Sequence, residues 1–140
     1  MDVKTSVEEI EKGLEELRED NTSIPIIVEG KKDVAALRFL GCQGIIITIN
    51  KGVSLTSFCD EIASMYDSVI LITDWDRKGG SLCKRIMRLL KGRVTFNTTY
   101  RDLFAKYAMT RKVEGLPSWF DTMKHRLESD HASSDATHQR

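Results

Sequence analysis

Cysteine is scarce in this chain. Cys42, Cys59 and Cys83 are the only three in 140 residues, and they stand far apart. No CxxC pair exists, which argues against a zinc ribbon. The odd count leaves no complete disulfide framework. Cys59 and Cys83 fall in predicted helices and read as small apolar residues. Long apolar runs are missing too: none approaches the ~18–20 residues of a membrane span. The opening "MDVKTSVEEIEKG" is acidic and lacks the apolar stretch of a signal peptide. The expectation is a soluble, cytoplasmic protein with no membrane partner.

Net charge is also absent, with 21 bases against 21 acids, but the charge is unevenly spread. Residues 1–20 hold eight acids and three bases, a balance of −5, whereas residues 77–93 hold seven bases and no acid. A phosphate responds to that local charge, whatever the total. Common nucleotide signatures are lacking. There is no GxxxxGK[ST], and no GxGxxG follows a strand. "DWDRKGGSLCKR" opens like a calcium loop, but Lys78 holds the fifth place and Arg85 the place of the bidentate Glu. A phosphoacceptor receiver would want an acidic pair near its first strand, where "IIVEGKK" supplies only Glu29. His131 and His138 have no companion ligands and receive no metal role.

Hydrophobic residues make up 41%, enough for a core, and the length fits one compact domain. Residues 5–20 read as an amphipathic helix with Val7, Ile10, Leu14 and Leu17 at helical spacing. Thr5 and Glu8 have the spacing of a capping box. Apolar runs at 24–29, 44–49 and 68–73 predict buried strands, and "RVTFN" (93–97) a fourth. Helices are predicted at 31–40, stopped by Gly41, and at 54–66, 81–91 and from Tyr100 onward. Strands apolar on both faces and alternating with helices mean α/β, a mostly parallel sheet of about four strands covered on both sides. The organisation expected is an acidic helix over 1–22, an α/β core over 23–110, a helical extension over 111–127 and a frayed tail over 128–140. Trp119, Phe120 and Met123 read as the buried face of the extension. No internal repeats are visible.

Two predicted strands end in acids, the first at Glu29 and the third at Asp74, with Asp76 two residues on. In an open α/β sheet, function gathers at the carboxyl ends of the strands. A strand order of 2-1-3-4 would put the first and third strands ~4.8 Å apart. Three carboxylates that close need a proton or a cation. Mg²⁺ takes oxygen ligands, often one or two carboxylates plus water and phosphate. Asp74 and Asp76 suit that role, and Glu29 could bind the ion or handle a proton. Lys31, Lys32, Arg77 and Lys78 follow these acids in what read as strand-to-helix loops, where Gly30, Gly79 and Gly80 would let a backbone approach a ligand. The plainer alternatives are an N-cap for Asp76 and surface charge for the lysines.

Two motifs, "IIVEGKKD" and "VILITDWDRKGG", resemble those of the Toprim domain of topoisomerases, bacterial-type primases and ribosomal-RNA maturation ribonucleases. They lie in the family's order, and "TINKG", which contains Lys51, resembles the segment that often follows its second strand. The resemblance covers about residues 24–100. It implies a Rossmann-like fold. It also implies Glu29 as acid–base residue or metal ligand, Asp74 and Asp76 as ligands of Mg²⁺ or Mn²⁺, and Asp33 in the place of the family's acid after Glu-Gly. A topoisomerase's tyrosine domain and a primase's zinc region have no counterpart here, so the chain is similar to the small stand-alone members. Two functions stand. One is a metal-dependent enzyme acting on nucleic-acid phosphodiesters, RNA ahead of DNA, with Lys31, Lys32, Lys51, Arg77 and Lys78 on flanking phosphates. Lys84, Arg88 and Lys91 either extend that track or form a solvated face. The other is a non-catalytic module that binds metal and nucleic acid or nucleotide, as a homodimer or with a protein partner.

Overall fold

The computed structural model describes residues 2–138, with side chains through residue 130. In chain order the elements are α1 (Val3–Asp20), β1 (Ile26–Val28), α2 (Lys31–Phe39), β2 (Ile46–Thr48), α3 (Leu55–Met65), β3 (Ser68–Leu71) and α4 (Arg77–Leu90). Then follow β4 (Thr95–Asn97), α5 (Thr99–Tyr107), a 3₁₀ turn (Val113–Gly115) and α6 (Leu116–His138). The four strands form one sheet in the order β2-β1-β3-β4, and every pairing is parallel.

Parallel strands need crossovers, and the crossover helices bury both faces of the sheet. Ile26 and Val28 of β1 join Ile70 and Ile72 in the core under α1, α2 and α5. Ile27, Val69 and Leu71 point the other way, into a second core with Phe58 and Ile62 of α3 and Ile86 and Leu90 of α4. The alternation of strand side chains thus splits an unbroken apolar run between two layers. Cys42, Cys59 and Cys83 are all free and buried, as small apolar residues would be. Trp119 and Phe120 of α6 pack against the first core.

Three helix limits differ from the predicted ones. α1 starts at Val3, because Asp2 rather than Thr5 is its cap: the Lys4 N–H donates to Asp2 Oδ1 at 3.3 Å. α4 starts at Arg77, four residues before the predicted Ser81, because Asp76 caps it. Lys31, Lys32, Arg77 and Lys78 therefore occupy first helical turns and not loops. α6 runs to His138, past the predicted end at 127, since no Gly or Pro interrupts 118–138. α2 ends as predicted, with Gly41 in the left-handed region at φ 97°.

A buried side chain that the sequence did not single out joins α1 to the sheet. Asn21 is 1% exposed. Its Nδ2 donates to the carbonyls of Ile24 and Ile45, each at 3.0 Å, and its Oδ1 accepts the Gly44 N–H at 2.9 Å. Gly44 is needed there, since a Cβ would sit 1.8 Å from the Asn21 carbonyl oxygen. Asn21→Ala would leave the Ile24 carbonyl and the Gly44 N–H without their Asn21 partner, each costing about 1–3 kcal/mol if unpaired, whereas the Ile45 carbonyl keeps the Ile26 N–H at 3.0 Å. The expected outcome in chemical denaturation is a loss of at least about 2 kcal/mol. A loss under about 0.5 kcal/mol would show that the clasp is dispensable.

Candidate metal and nucleic-acid site

Because β1 and β3 are neighbours, their carboxyl ends deliver Glu29 and Asp74 side by side. The Asp74 N–H donates to Glu29 Oε2 at 2.7 Å. Asp74 Oδ1 accepts the Val113 N–H at 2.8 Å, and Asp76 Oδ1 accepts the Gly79 N–H at 2.7 Å. Each of the three half-buried carboxylates thus spends one oxygen on a backbone N–H. Among the described residues, its second oxygen has no hydrogen-bond donor. Asp33 lies beneath them, 6% exposed, and accepts the Gly30 N–H at 3.0 Å.

Among the described residues, no cationic side chain forms an ion pair with these acids. The ion pairs among the described residues are Arg93–Asp60, Lys124–Glu11 and His125–Asp121, all elsewhere. The effect is clearest at Asp74, whose pKa is pushed up from 3.8 to about 6. Burial is the main cause, opposed by the Val113 N–H and reinforced by Glu29, Asp33 and Asp76. Burial also raises the Asp33 pKa, against the Gly30 N–H and with Glu29 and Glu114 adding to it. Among the described residues, no group of three or more His, Cys, Asp or Glu forms a ready metal cage. The donor set nonetheless fits a hydrated divalent ion, for which one or two carboxylates are the usual protein share.

The backbone under the site is held by groups that sequence reasoning missed. Arg101 of α5 donates from Nε to the Thr73 carbonyl at 3.1 Å and to Thr73 Oγ1 at 3.0 Å, and from Nη2 to the Asp74 carbonyl at 2.8 Å. The fully buried Thr73 hydroxyl donates to the Gly79 carbonyl at 2.9 Å. Gly79 faces the turn rather than a ligand: a Cβ there would lie 2.0 Å from the Asp74 carbonyl oxygen. Trp75 is tied to the following segment, its N–H donating to the Arg111 carbonyl at 2.9 Å and its Nε1 to that of Thr110. No motif marks Arg101, Thr110 or Val113, since their contacts arise only once α5 and the 110–113 segment fold back.

The basic residues divide. Lys31 and Lys32 open α2, Arg77 and Lys78 open α4, and all four are exposed on the carboxyl edge of the sheet. Lys51, from the β2–α3 loop, lines a cavity with Glu29 and Lys78. Lys84 and Arg88 line a separate depression with Met87, Lys91 and Phe96. The structure therefore does not bring Lys84 and Arg88 to the acids.

Residues 24–106 match the Toprim domain family. The chain belongs to that family. A UPF0292 protein of Thermoplasma volcanium is 45% identical over 105 residues, spanning 74% of this chain and 88% of its own. A UPF0292 protein of Methanocaldococcus jannaschii is 37% identical over 110 residues, 76% of this chain and 85% of its own. Among solved structures, a putative protein from Aquifex aeolicus shares the fold, with a TM-score of 0.64 at 22% identity over 74% of this chain and 94% of that one. Membership in the Toprim family associates the chain with divalent-metal binding and nucleic-acid chemistry. The Thr110–Val113 clamp on Asp74 and Trp75 lies beyond the matched residues.

Asp74 has a folded pKa above its unfolded value, so its ionisation weakens the metal-free fold as pH rises from about 4 through about 6. Asp74→Asn keeps an oxygen for the Val113 N–H and removes that charge. In EDTA, its Tm relative to wild type is expected to rise between pH 4.5 and pH 7.5. A Tm difference independent of pH would mean that Asp74 is not strained by its neighbours.

Proposed function

We propose that this Toprim protein is an Mg²⁺- or Mn²⁺-dependent enzyme that cuts nucleic-acid phosphodiesters, RNA ahead of DNA. The reading is supported by one observation: Glu29 and Asp74 meet at neighbouring strand ends with Asp76 two residues on, each has one oxygen to spare, and no cationic side chain is in an ion pair with them among the described residues. Asp74 and Asp76 would hold the ion, which when bound supplies Lewis-acid stabilisation of charge on the phosphate. Glu29 has its Oε2 fixed by the Asp74 N–H, which orients Oε1 to accept a proton from an attacking water. Lys31, Lys32, Arg77 and Lys78 stand where they can bind flanking phosphates, Arg77 and Lys78 with the positive end of α4 behind them. The preference for RNA rests on the likeness to small stand-alone members of the family.

A second reading is a non-catalytic metal- and nucleic-acid-binding module. It is favoured by the backbone N–H bonds that already engage all three carboxylates, since such bonds can serve the fold alone.

Labelled structured RNA, single-stranded RNA and DNA, incubated with Mg²⁺ or Mn²⁺ and with EDTA, separate the two. Cutting of RNA that needs metal is expected, abolished in Asp74→Asn and lowered about 10²–10⁴-fold in Glu29→Gln. Wild-type rates in Glu29→Gln would remove its proton role. Metal-dependent binding without any cutting would favour the module. Binding should also weaken steeply between 50 and 200 mM salt, in proportion to the phosphates contacted.

A further inference from the structure

The cavity beside Glu29 contains more than phosphodiester cutting uses. It lies between the β2–α3 loop and α4, holds about 280 Å³, and carries Lys51, Lys78 and Arg85 on its walls. Lys78 and Arg85 are seven residues apart on α4, two turns along one side of the helix. All three cations are exposed, and none joins an ion pair among the described residues. The rest of the lining is largely aliphatic: Ile49, Val53, Leu55 and Leu82. Val53 is 44% exposed, a large apolar side chain left at the surface with no core to join. Of the three site acids only Glu29 lines the cavity, so cations outnumber acids there three to one.

This pairing of features narrows the ligand. A bare anion has no use for an aliphatic shelf, and an apolar ligand has none for three unpaired cations. A phosphate joined to a flat, partly apolar group uses both. The volume falls just below the ~300–1,000 Å³ of small-molecule sites, which suits a single nucleotide unit and excludes a duplex. A terminal phosphate carries about −1.5 to −2 charges at neutral pH, more than the single charge of an internal diester. Three cations against one carboxylate suit the terminal group.

We propose that this cavity binds a nucleotide through its terminal phosphate, with Arg85, Lys78 and Lys51 on the phosphate and Val53 and Leu82 against the sugar or base. The ligand is either the end of a nucleic-acid strand or a free mononucleotide. The assignment deepens the phosphodiester reading, on which its placement beside Glu29 rests: a strand would be presented to Glu29 by its end.

The test is binding in EDTA, followed by fluorescence anisotropy of an internally labelled single-stranded RNA decamer. The decamer carries a 5′-phosphate, a 3′-phosphate or hydroxyls at both ends, and adenosine monophosphate and inorganic phosphate serve as competitors. One phosphorylated decamer is expected to bind about tenfold more tightly than the hydroxyl form, the size of one charged hydrogen-bond partner. Arg85→Ala and Val53→Asp, both at exposed positions, should erase that preference without lowering Tm. Adenosine monophosphate displacing the decamer as well as a phosphorylated strand does would identify the free nucleotide as the source. Weak displacement with the preference intact would identify the strand end. Equal binding of all decamers with no displacement by adenosine monophosphate would overturn the proposal. So would a preference that survives Arg85→Ala, or inorganic phosphate competing as well as the nucleotide. Metal-dependent cutting without end preference would sink this inference and spare the nuclease. End preference lost in Arg85→Ala, in a protein that never cuts, would do the reverse.

Discussion

The hydrogen bond from the Asp74 N–H to Glu29 Oε2 joins the ends of two strands 45 residues apart in the chain. It can form only because β1 and β3 are parallel neighbours at the centre of the sheet. With any strand between them, the two carboxyl ends would be ~10 Å apart, beyond the reach of a glutamate. The strand order is therefore the condition for the site. The split of apolar side chains between two cores in turn holds the strands in register, because a one-residue slip would exchange their faces.

The short stretch from Thr73 to Gly80 meets several demands at once. Thr73 is buried and holds the first turn of α4 through the Gly79 carbonyl. Asp76 caps that helix, and Gly79 leaves room for the Asp74 backbone. The cap and the metal reading of Asp76 are compatible, since a cap uses one carboxylate oxygen and leaves the other. Arg101 donates to carbonyls rather than to carboxylates, so it stiffens the turn without neutralising the acids in an ion pair. Rigid support combined with unbalanced charge is what a preorganised cation site requires.

Much of this was legible in the sequence, for identifiable reasons. Apolar runs bounded by acids or turns located all four strands, and an Asp-x-Asp at a strand end pointed to the carboxyl edge of the sheet. Helix starts were less legible. "RKGG" reads as a loop because its glycines disfavour helix, yet the Asp76 cap and the close fit of Gly79 on Asp74 make those residues the first turn of α4. Helical periodicity spaced Lys84, Arg88 and Lys91 correctly but could not say which cavity they would face. Arg85, one residue away, lines the cavity with Glu29, whereas Lys84 and Arg88 do not. Asn21, Arg101 and Val113 were invisible because all but one of their partners, the Ile24 carbonyl, lie 23–39 residues off, and most are backbone groups, which carry no sequence signal.

A neutral chain can still present a directed field. The acidic helix α1 packs in the layer with α2 and α5, and its outward carboxylates lie across the sheet from α4. The bases of α4 are exposed on the other side, from Arg77 at its start to Arg88 in its last turn. A polyanion approaching the molecule is repelled from the α1 side and drawn toward α4, over distances limited by the ~8 Å screening length of physiological salt. At that range the steering acts on the last stage of approach, and for a nucleic acid bound as proposed above it would favour the α4 side. That side holds the Glu29 cavity, with Lys51, Lys78 and Arg85 on its walls. The separation of charge by the sheet thus does for orientation what a net positive charge would do for affinity, without adding nonspecific attraction on every side.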